Sequence, residues 1–237
     1  MAPPVAQIGR LECELANNAL ALAYATYLGN TISLRTPADD TEWLGPRSEE
    51  FRFEADGRAM SLLEVGYVEW VDDVGPLGVV LKQRRTGNGF HLTIEDVALS
   101  GVGALLRRVH LSNLTHGVLH IARATPLAWT LRGRTELRDD APGAVVTRSA
   151  PERGLFLAGD GLTPEAVPGE LDVGRLVCPE TRALAPGETW RLPTLWVASF
   201  EGPVGEAWFK LNGRMREAVR QWEQWDAERE ALRRSRD

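Results

Sequence analysis

Short segments of alternating apolar and polar residues, separated by turn residues, recur along most of the chain. Residues 11–15 read Leu-Glu-Cys-Glu-Leu, Asn17 and Asn18 follow, and residues 19–27 are again mostly apolar. A two-residue turn at the asparagines predicts a β-hairpin, because one-sided burial requires the apolar residues of both strands to share a face. The predicted pairs are Leu15 with Leu20, Cys13 with Leu22, and Leu11 with Tyr24.

Glycine-containing turns predict two more hairpins. Such turns suit hairpins because a type I′ turn needs positive φ at both central residues. The two predictions are Asp56-Gly57, between residues 51–53 and 60–63 with Phe53 opposite Met60, and Gly87-Asn-Gly89, between residues 79–85 and 90–97.

A fourth predicted hairpin, built symmetrically about Thr115, concentrates the histidines of the chain. Symmetry places His110 directly across from His120, with Arg108 on the same polar face and His116 in the turn. Cross-strand imidazoles at about 5 Å between Cβ atoms can share a proton or a metal ion. The alternative is a polar strand face that is exposed, or buried with each ring hydrogen-bonded. Since zinc sites use three or four ligands and no third is evident, we predict no metal site.

The pattern as a whole predicts an all-β protein that ends in a helix. Strands and helices do not alternate as in a parallel doubly wound sheet. Residues 1–204 are therefore expected to form a large antiparallel two-sheet β-sandwich, and residues 205–237 a helical segment packed on it. Apolar residues in that segment recur at helical spacing: Trp208, Leu211, Met215, Val219, Trp222 and Trp225.

Composition narrows the function classes. The chain has 237 residues, a net charge of −6 and a pI of about 5.4, which disfavours nucleic acid and anionic membranes as partners. Cys13 and Cys178 are too far apart in sequence for metal-ligand spacing. Without a secretion signal, a long apolar run or a nucleotide-binding motif, we expect a soluble, cytoplasmic protein without a cofactor.

One acidic turn has the composition of a sugar contact. Asp39 and Asp40 are followed by Trp43. Carboxylates accept hydrogen bonds from sugar hydroxyls, and an aromatic ring offers a flat apolar platform. The alternative is a solvated turn, since aspartate is a common turn former.

Two segments resemble a known fold family. Arg107-Arg-Val-His-Leu-Ser-Asn113 and Val118-Leu-His-Ile-Ala-Arg-Ala-Thr-Pro-Leu127 resemble the central hairpin of the galactose-mutarotase-like supersandwich. Leu184-Ala-Pro-Gly-Glu-Thr-Trp-Arg-Leu-Pro193, followed by a strand and a helix, is similar to the end of the N-terminal domain of family-36 glycoside hydrolases, the α-galactosidases.

The resemblance implies a carbohydrate-associated two-sheet sandwich. In the α-galactosidases the catalytic aspartates lie on the barrel that follows this domain, so no catalytic residue is carried over. In stand-alone mutarotases the resemblance would imply a histidine acid and a glutamate base. His116 and His120 lie near the corresponding region, but the surrounding His-Pro-Tyr-type motif is absent.

Three function hypotheses follow, because fold resemblance alone fixes no function. The first is a non-catalytic carbohydrate-associated module, with a sugar ligand or a partner enzyme. The second is a mutarotase-like enzyme that uses a histidine and a carboxylate. The third is a structural or interaction protein that keeps the fold without a ligand. The C-terminal helix is expected to pack on its own sheet, and the alternatives are that it binds a partner enzyme or a second copy as a homodimer. The candidate ligand-binding residues are His110, His120, Arg108, His116, Asp40 and Trp43.

Overall fold

The structure is a computed structural model that describes residues 3–46, 48–75, 77–167 and 172–234. The remainder of the predicted helical segment, residues 235–237, lies outside the described residues. The strands run as follows: β1 Val5–Ile8, β2 Glu12–Ala16, β3 Ala21–Ala25, β4 Thr31–Thr36, β5 Thr41–Glu42, β6 Arg52–Ala55, β7 Arg58–Ser61, β8 Tyr67–Gly75, β9 Gly78–Gly87, β10 Phe90–Leu99, β11 Ala104–Asn113, β12 Leu119–Leu131, β13 Arg134–Leu137, β14 Ala144–Ala150, β15 Arg153–Ala158, β16 Thr163–Val167, β17 Asp172–Cys178, β18 Arg182–Leu184, β19 Thr189–Arg191 and β20 Leu195–Glu201. A short 3-10 helix spans Leu62–Val65, and one α-helix, α1, spans Val204–Arg234.

Within these ranges the strands form three antiparallel sheets, as the predicted all-β fold requires. The first contains β1-β2-β3-β4-β5 in that order. The second has the order β13-β14-β15-β20-β11-β10-β9-β8, with β19 also paired to β11, and is called here the nine-stranded sheet. The third has the order β16-β17-β12-β6-β7, with β18 also paired to β12, and is called the six-stranded sheet.

The first and third sheets join edge to edge into one layer. The Trp43 amide donates to the carbonyl of Leu34, at 2.8 Å, and the Trp43 carbonyl accepts from the Arg132 amide, at 2.7 Å. Isolated bridges from Leu44 to Leu131 and from Glu49 to Ala128 continue this seam. The molecule is therefore the predicted two-layer sandwich, with the nine-stranded sheet as the opposite layer.

An apolar cluster fills the space between the two layers. It takes Leu15 and Leu22 from the first sheet, Leu92 and Leu111 from the nine-stranded sheet, and Trp129 from the six-stranded sheet. Burial of such apolar side chains is the dominant favourable contribution to folding.

Helix α1 covers part of the outer face of the nine-stranded sheet. A second apolar cluster joins Trp208, Met215 and Trp222 of the helix to sheet residues such as Phe156 and Trp196. The remaining residues of the predicted stripe pack against this cluster as well: Leu211, Val219 and Trp225. In the described part of the chain, no helix combines the length and the apolar character needed to cross a bilayer.

The two glycine-turn hairpins are confirmed, and the first hairpin has a different register. Phe53 faces Met60, and Gly87 faces Phe90 across the Asn88-Gly89 turn. In the first hairpin, however, Leu15 pairs with Leu22 and Cys13 with Tyr24, two residues from the predicted register; the third predicted partner, Leu11, is exposed.

Asn17 explains this shift. Its amide donates to the carbonyl of Leu20, at 2.9 Å, and its side chain accepts from the amides of Ala19 and Leu20. The side chain also donates to the carbonyl of Ala104 in the opposite layer, at 2.8 Å. The turn is therefore longer than two residues, but a shift by two keeps the same side chains on the core face.

The predicted fourth hairpin is wrong. Strands β11 and β12 belong to different layers, so His110 faces Thr93 and Arg191, whereas His120 faces Ala183. The physical reason is that a later segment takes the place of this pairing. Strand β18 pairs with β12, and β19 pairs with β11. The Asn113 side chain fixes this arrangement by donating to the carbonyl of Leu184, at 2.9 Å.

Candidate functional site

Polar residues replace apolar ones on the half of the outer sheet face that α1 leaves open. Under the helix, the outer positions of β9, β10 and β11 are Val80, Val97 and Leu106. Further along the same strands the outer positions carry polar side chains. Strand alternation puts all of them on one surface, because side chains two residues apart point to the same side.

The strand register aligns these side chains in three rows across the sheet. The central row crosses five strands and contains Glu69, Arg84, Thr93, His110 and Arg191. One flanking row contains Thr86, His91, Ser112 and Thr189, and the other contains Lys82, Glu95 and Arg108. With strands about 4.8 Å apart, the central row is roughly 19 Å long.

These rows and the end of α1 enclose a cleft of about 400 Å³, called here the polar cleft. Its size lies within the range of small-molecule sites. Its lining residues are Glu69, Lys82, Arg84, His91, Thr93, Glu95, His110, Arg191, Asp226 and Arg229.

Glu95 is the charged centre of the cleft floor. One of its oxygens lies 2.8 Å from Lys82 Nζ, and the other is ion-paired with Arg108. Burial opposes ionisation of Glu95, but the two cations outweigh burial and lower its pKa to about 2. Arg108 Nη1 also donates to Asp226 Oδ2, at 3.1 Å, and so ties the helix to the floor.

Arg229 fixes the end of the helix over the sheet. Its guanidinium donates to Asp73 on β8, at 2.7 Å, and lies 4.7 Å from the centre of the Trp225 ring. The helix wall of the cleft is thus held by charged contacts as well as by the apolar cluster.

His110 and Arg84 face the cleft without engaged side chains. Both are half-buried, and neither side chain has a hydrogen-bond or ion-pair partner among the residues that the structure describes. Burial lowers the pKa of His110 below its ordinary value, which disfavours the protonated ring. His91, by contrast, contacts the hydroxyls of Thr86, at 2.9 Å, and Thr93, at 3.3 Å.

The structure brings together two of the six predicted ligand-binding residues, His110 in the cleft and Arg108 beneath it. His120 and His116 are exposed on β12 and on the preceding turn, so they cannot act with His110. Asp40 is exposed in the turn between β4 and β5, with a 3.4 Å ion pair to Arg35.

Trp43 is a core residue instead of a sugar platform. It is 1% exposed, and its indole nitrogen donates to Thr36 Oγ1, at 2.9 Å. Trp43 directly follows β5, at the seam between the first sheet and the six-stranded sheet. Its side chain faces the space between the two layers.

Sequence reasoning missed most of the cleft. Lys82, Arg84, Thr93 and Glu95 all occupy outer positions of two strands whose hairpin was predicted correctly. Their alternation with buried residues was a signal that they share a face. Their proximity to Arg191 depends on strand pairing between distant segments, which the sequence does not display.

A second polar cluster lies between the layers, closed to solvent. Arg107 donates to Asp96, at 2.8 Å, to Glu50, at 2.7 Å, and to the Tyr24 hydroxyl, at 2.7 Å. Arg107 is 2% exposed, and burial raises the pKa of Asp96 above its ordinary value in spite of this partner. The cluster ties the layers together and is not accessible to a ligand.

A smaller cleft of about 270 Å³, called here the arginine cleft, lies on the outer face of the six-stranded sheet. Arg52, Arg123 and Arg175 line it, and Arg123 occupies a β-bulge at φ 46°. None of the predicted ligand-binding residues lies there. In the described ranges, no group of three or more histidine, cysteine, aspartate or glutamate side chains is arranged to hold a metal ion.

Solved structures share this architecture. A family-36 α-galactosidase from Geobacillus stearothermophilus aligns at a TM-score of 0.59 and 10% identity, over 84% of this chain and 41% of that chain. A heparan sulfate lyase mutant from Pedobacter heparinus aligns at 0.55 and 10% identity, over 85% and 37%. A putative aldose 1-epimerase from Escherichia coli K12 aligns at 0.54 and 10% identity, over 79% and 98%.

These likenesses show that the fold is the galactose-mutarotase-like β-supersandwich, and at this identity they show the fold alone. The chain spans 41% of the length of the α-galactosidase and nearly all of the putative epimerase. No protein-family model and no curated protein sequence matches the chain.

Proposed function

We propose that this chain is a non-catalytic carbohydrate-binding module and that its ligand lies in the polar cleft. The observation that carries the proposal is the set of three polar rows on one open sheet face. Sugar hydroxyls donate and accept hydrogen bonds, and the rows offer both partners: guanidinium and ammonium donors, and carboxylate and hydroxyl acceptors. The helix wall makes the face concave, as ligand sites usually are.

The ionisation of the cleft supports binding over catalysis. Acid–base work on a sugar ring needs two groups with pKa values near the working pH. Glu95 has a pKa of about 2 and two bound cations, so it is a weak base. Burial lowers the pKa of His110, which disfavours the protonated ring that a general acid would supply. The cleft therefore pairs a weak base with a disfavoured acid.

The proposal includes a supporting role beside a glycoside-processing enzyme in a reducing, cytoplasmic compartment. The α-galactosidase comparison, in which a fold like this one occupies less than half of a longer chain, supports the enzyme partner. The two cysteines are unpaired and buried, which fits a reducing compartment. A homodimer through α1 is the alternative assembly, and Phe209 on the helix is 85% exposed.

Isothermal titration calorimetry with glucose, galactose and their short oligomers tests the proposal. We expect the wild-type protein to bind at least one of these sugars. His110→Ala should weaken binding roughly 3- to 10-fold, the value of one hydrogen bond. His120→Ala is the matched control, an exposed histidine on the other layer, and should bind like wild type.

The same samples separate the alternatives. Absence of binding across the sugar panel would leave a structural or interaction role in place of the proposed one. Acceleration of anomeric exchange by the protein, measured by NMR and lost in His110→Ala, would instead identify a mutarotase-like enzyme. We expect the exchange rate to equal that of buffer.

A further inference from the structure

We infer that the polar cleft selects acidic sugars and that Arg84 binds the acid group of the ligand. This inference rests on the proposed function and names its ligand class. Arg84 is the second of the five residues in the central row, with Glu69 and Thr93 as its cross-strand neighbours.

Arg84 differs from Lys82, Arg108 and Arg229 in having no counterion among the described residues. Lys82 and Arg108 neutralise Glu95, and Arg229 is bound to Asp73. Arg84 is half-buried as a residue, yet no ion pair forms between its guanidinium and any residue in the described ranges, including Glu69. A partly buried cation without a partner favours an incoming anion.

The chemistry of the guanidinium defines what it would bind. Its planar fork of N–H donors matches the two oxygens of a carboxylate or phosphate in a bidentate pair. Thr93 lies one strand away from Arg84 and His110 lies two strands away, so sugar hydroxyls have partners beside the anchored acid group. Arg191, at the far end of the row, adds positive charge to the same cleft.

The experiment compares each acidic sugar with its neutral counterpart at one ionic strength. The pairs are glucuronate with glucose and galacturonate with galactose, and glucose 6-phosphate provides the phosphate arm. Affinities are measured by calorimetry for wild type, Arg84→Gln and Arg84→Lys, after thermal melts confirm folding. Arg175→Gln is the matched control, because Arg175 is also half-buried and has no partner among the described residues.

We expect wild type to bind at least one acidic sugar roughly 10-fold more tightly than the neutral counterpart, the value of a charge-assisted pair. Arg84→Gln should abolish this preference by weakening the acidic sugar much more than its neutral counterpart, Arg84→Lys should retain part of the preference, and Arg175→Gln should retain all of it. Whichever of the uronates and the sugar phosphate binds more tightly identifies the acid group that the cleft prefers.

Equal affinities for acidic and neutral sugars would overturn the inference while the proposed function stands. An acid preference that survives Arg84→Gln would overturn the assignment of Arg84. Failure of every sugar, neutral or acidic, to bind would contradict both proposals.

Discussion

Glu95 keeps its negative charge in a nearly solvent-free position because two cations surround it. The residue is 6% exposed and contacts Lys82 and Arg108. The folded-state pKa of about 2 lies below the value of 4.5 for a free glutamate. Ionised Glu95 therefore contributes stability that is fully present above about pH 4.5 and is lost as the pH falls towards 2.

The variant Glu95→Gln tests this linkage. We expect it to lower the free energy of unfolding by on the order of 3 kcal/mol at pH 7, since each pKa unit corresponds to about 1.4 kcal/mol. At pH 3 the cost should fall to less than half of that value. Urea unfolding at both pH values measures it, with the exposed Glu152→Gln as control. An equal cost at pH 3 and pH 7 would contradict the ion-pair explanation.

At the level of elements, α1 both covers apolar sheet surface and completes the polar cleft. Trp208 and Trp222 pack against the sheet, and Asp226 and Arg229 form the wall of the cleft. Burying each large apolar side chain contributes on the order of 2–3 kcal/mol, so the helix is a major part of the stability.

Two truncations separate these roles. A chain that ends at Gly205 should aggregate or fail to fold, because the outer face around Phe156 and Trp196 loses its cover. A chain that ends at Ala227 should fold, since it retains Trp222 and Asp226. Size-exclusion chromatography and thermal melts provide the comparison. If the shorter chain remains monomeric and melts at the wild-type temperature, the helix is not part of the core.

The sequence predicts elements better than it predicts which elements meet. Alternation identified the strands around the Asn88-Gly89 turn and put Arg108 and His110 on the polar face, because burial on one side dictates a period of two. It failed for His120, since its strand pairs with β18, which lies some sixty residues further along. A short turn would place β12 beside β11, whereas the structure pairs β12 with a distant strand. The local sequence does not show which of the two pairings forms.

For the whole molecule, the supersandwich creates one outer face with two halves of opposite character. The apolar half is covered by α1, and the polar half forms the cleft with three cross-strand rows. On a chain of net charge −6, this cleft gathers four cations, Lys82, Arg84, Arg191 and Arg229, against three carboxylates, Glu69, Glu95 and Asp226. This small local excess of positive charge favours a ligand with its own polar or anionic groups.

The most direct test of the central claim is a backbone amide NMR titration with the tightest-binding sugar. We predict that the largest shift changes map to the central row, at Arg84, Thr93, His110 and Arg191, and to the helix wall at Asp226. Changes confined to the arginine cleft, or an unchanged spectrum at saturating sugar, would contradict the assignment of the polar cleft as a carbohydrate site.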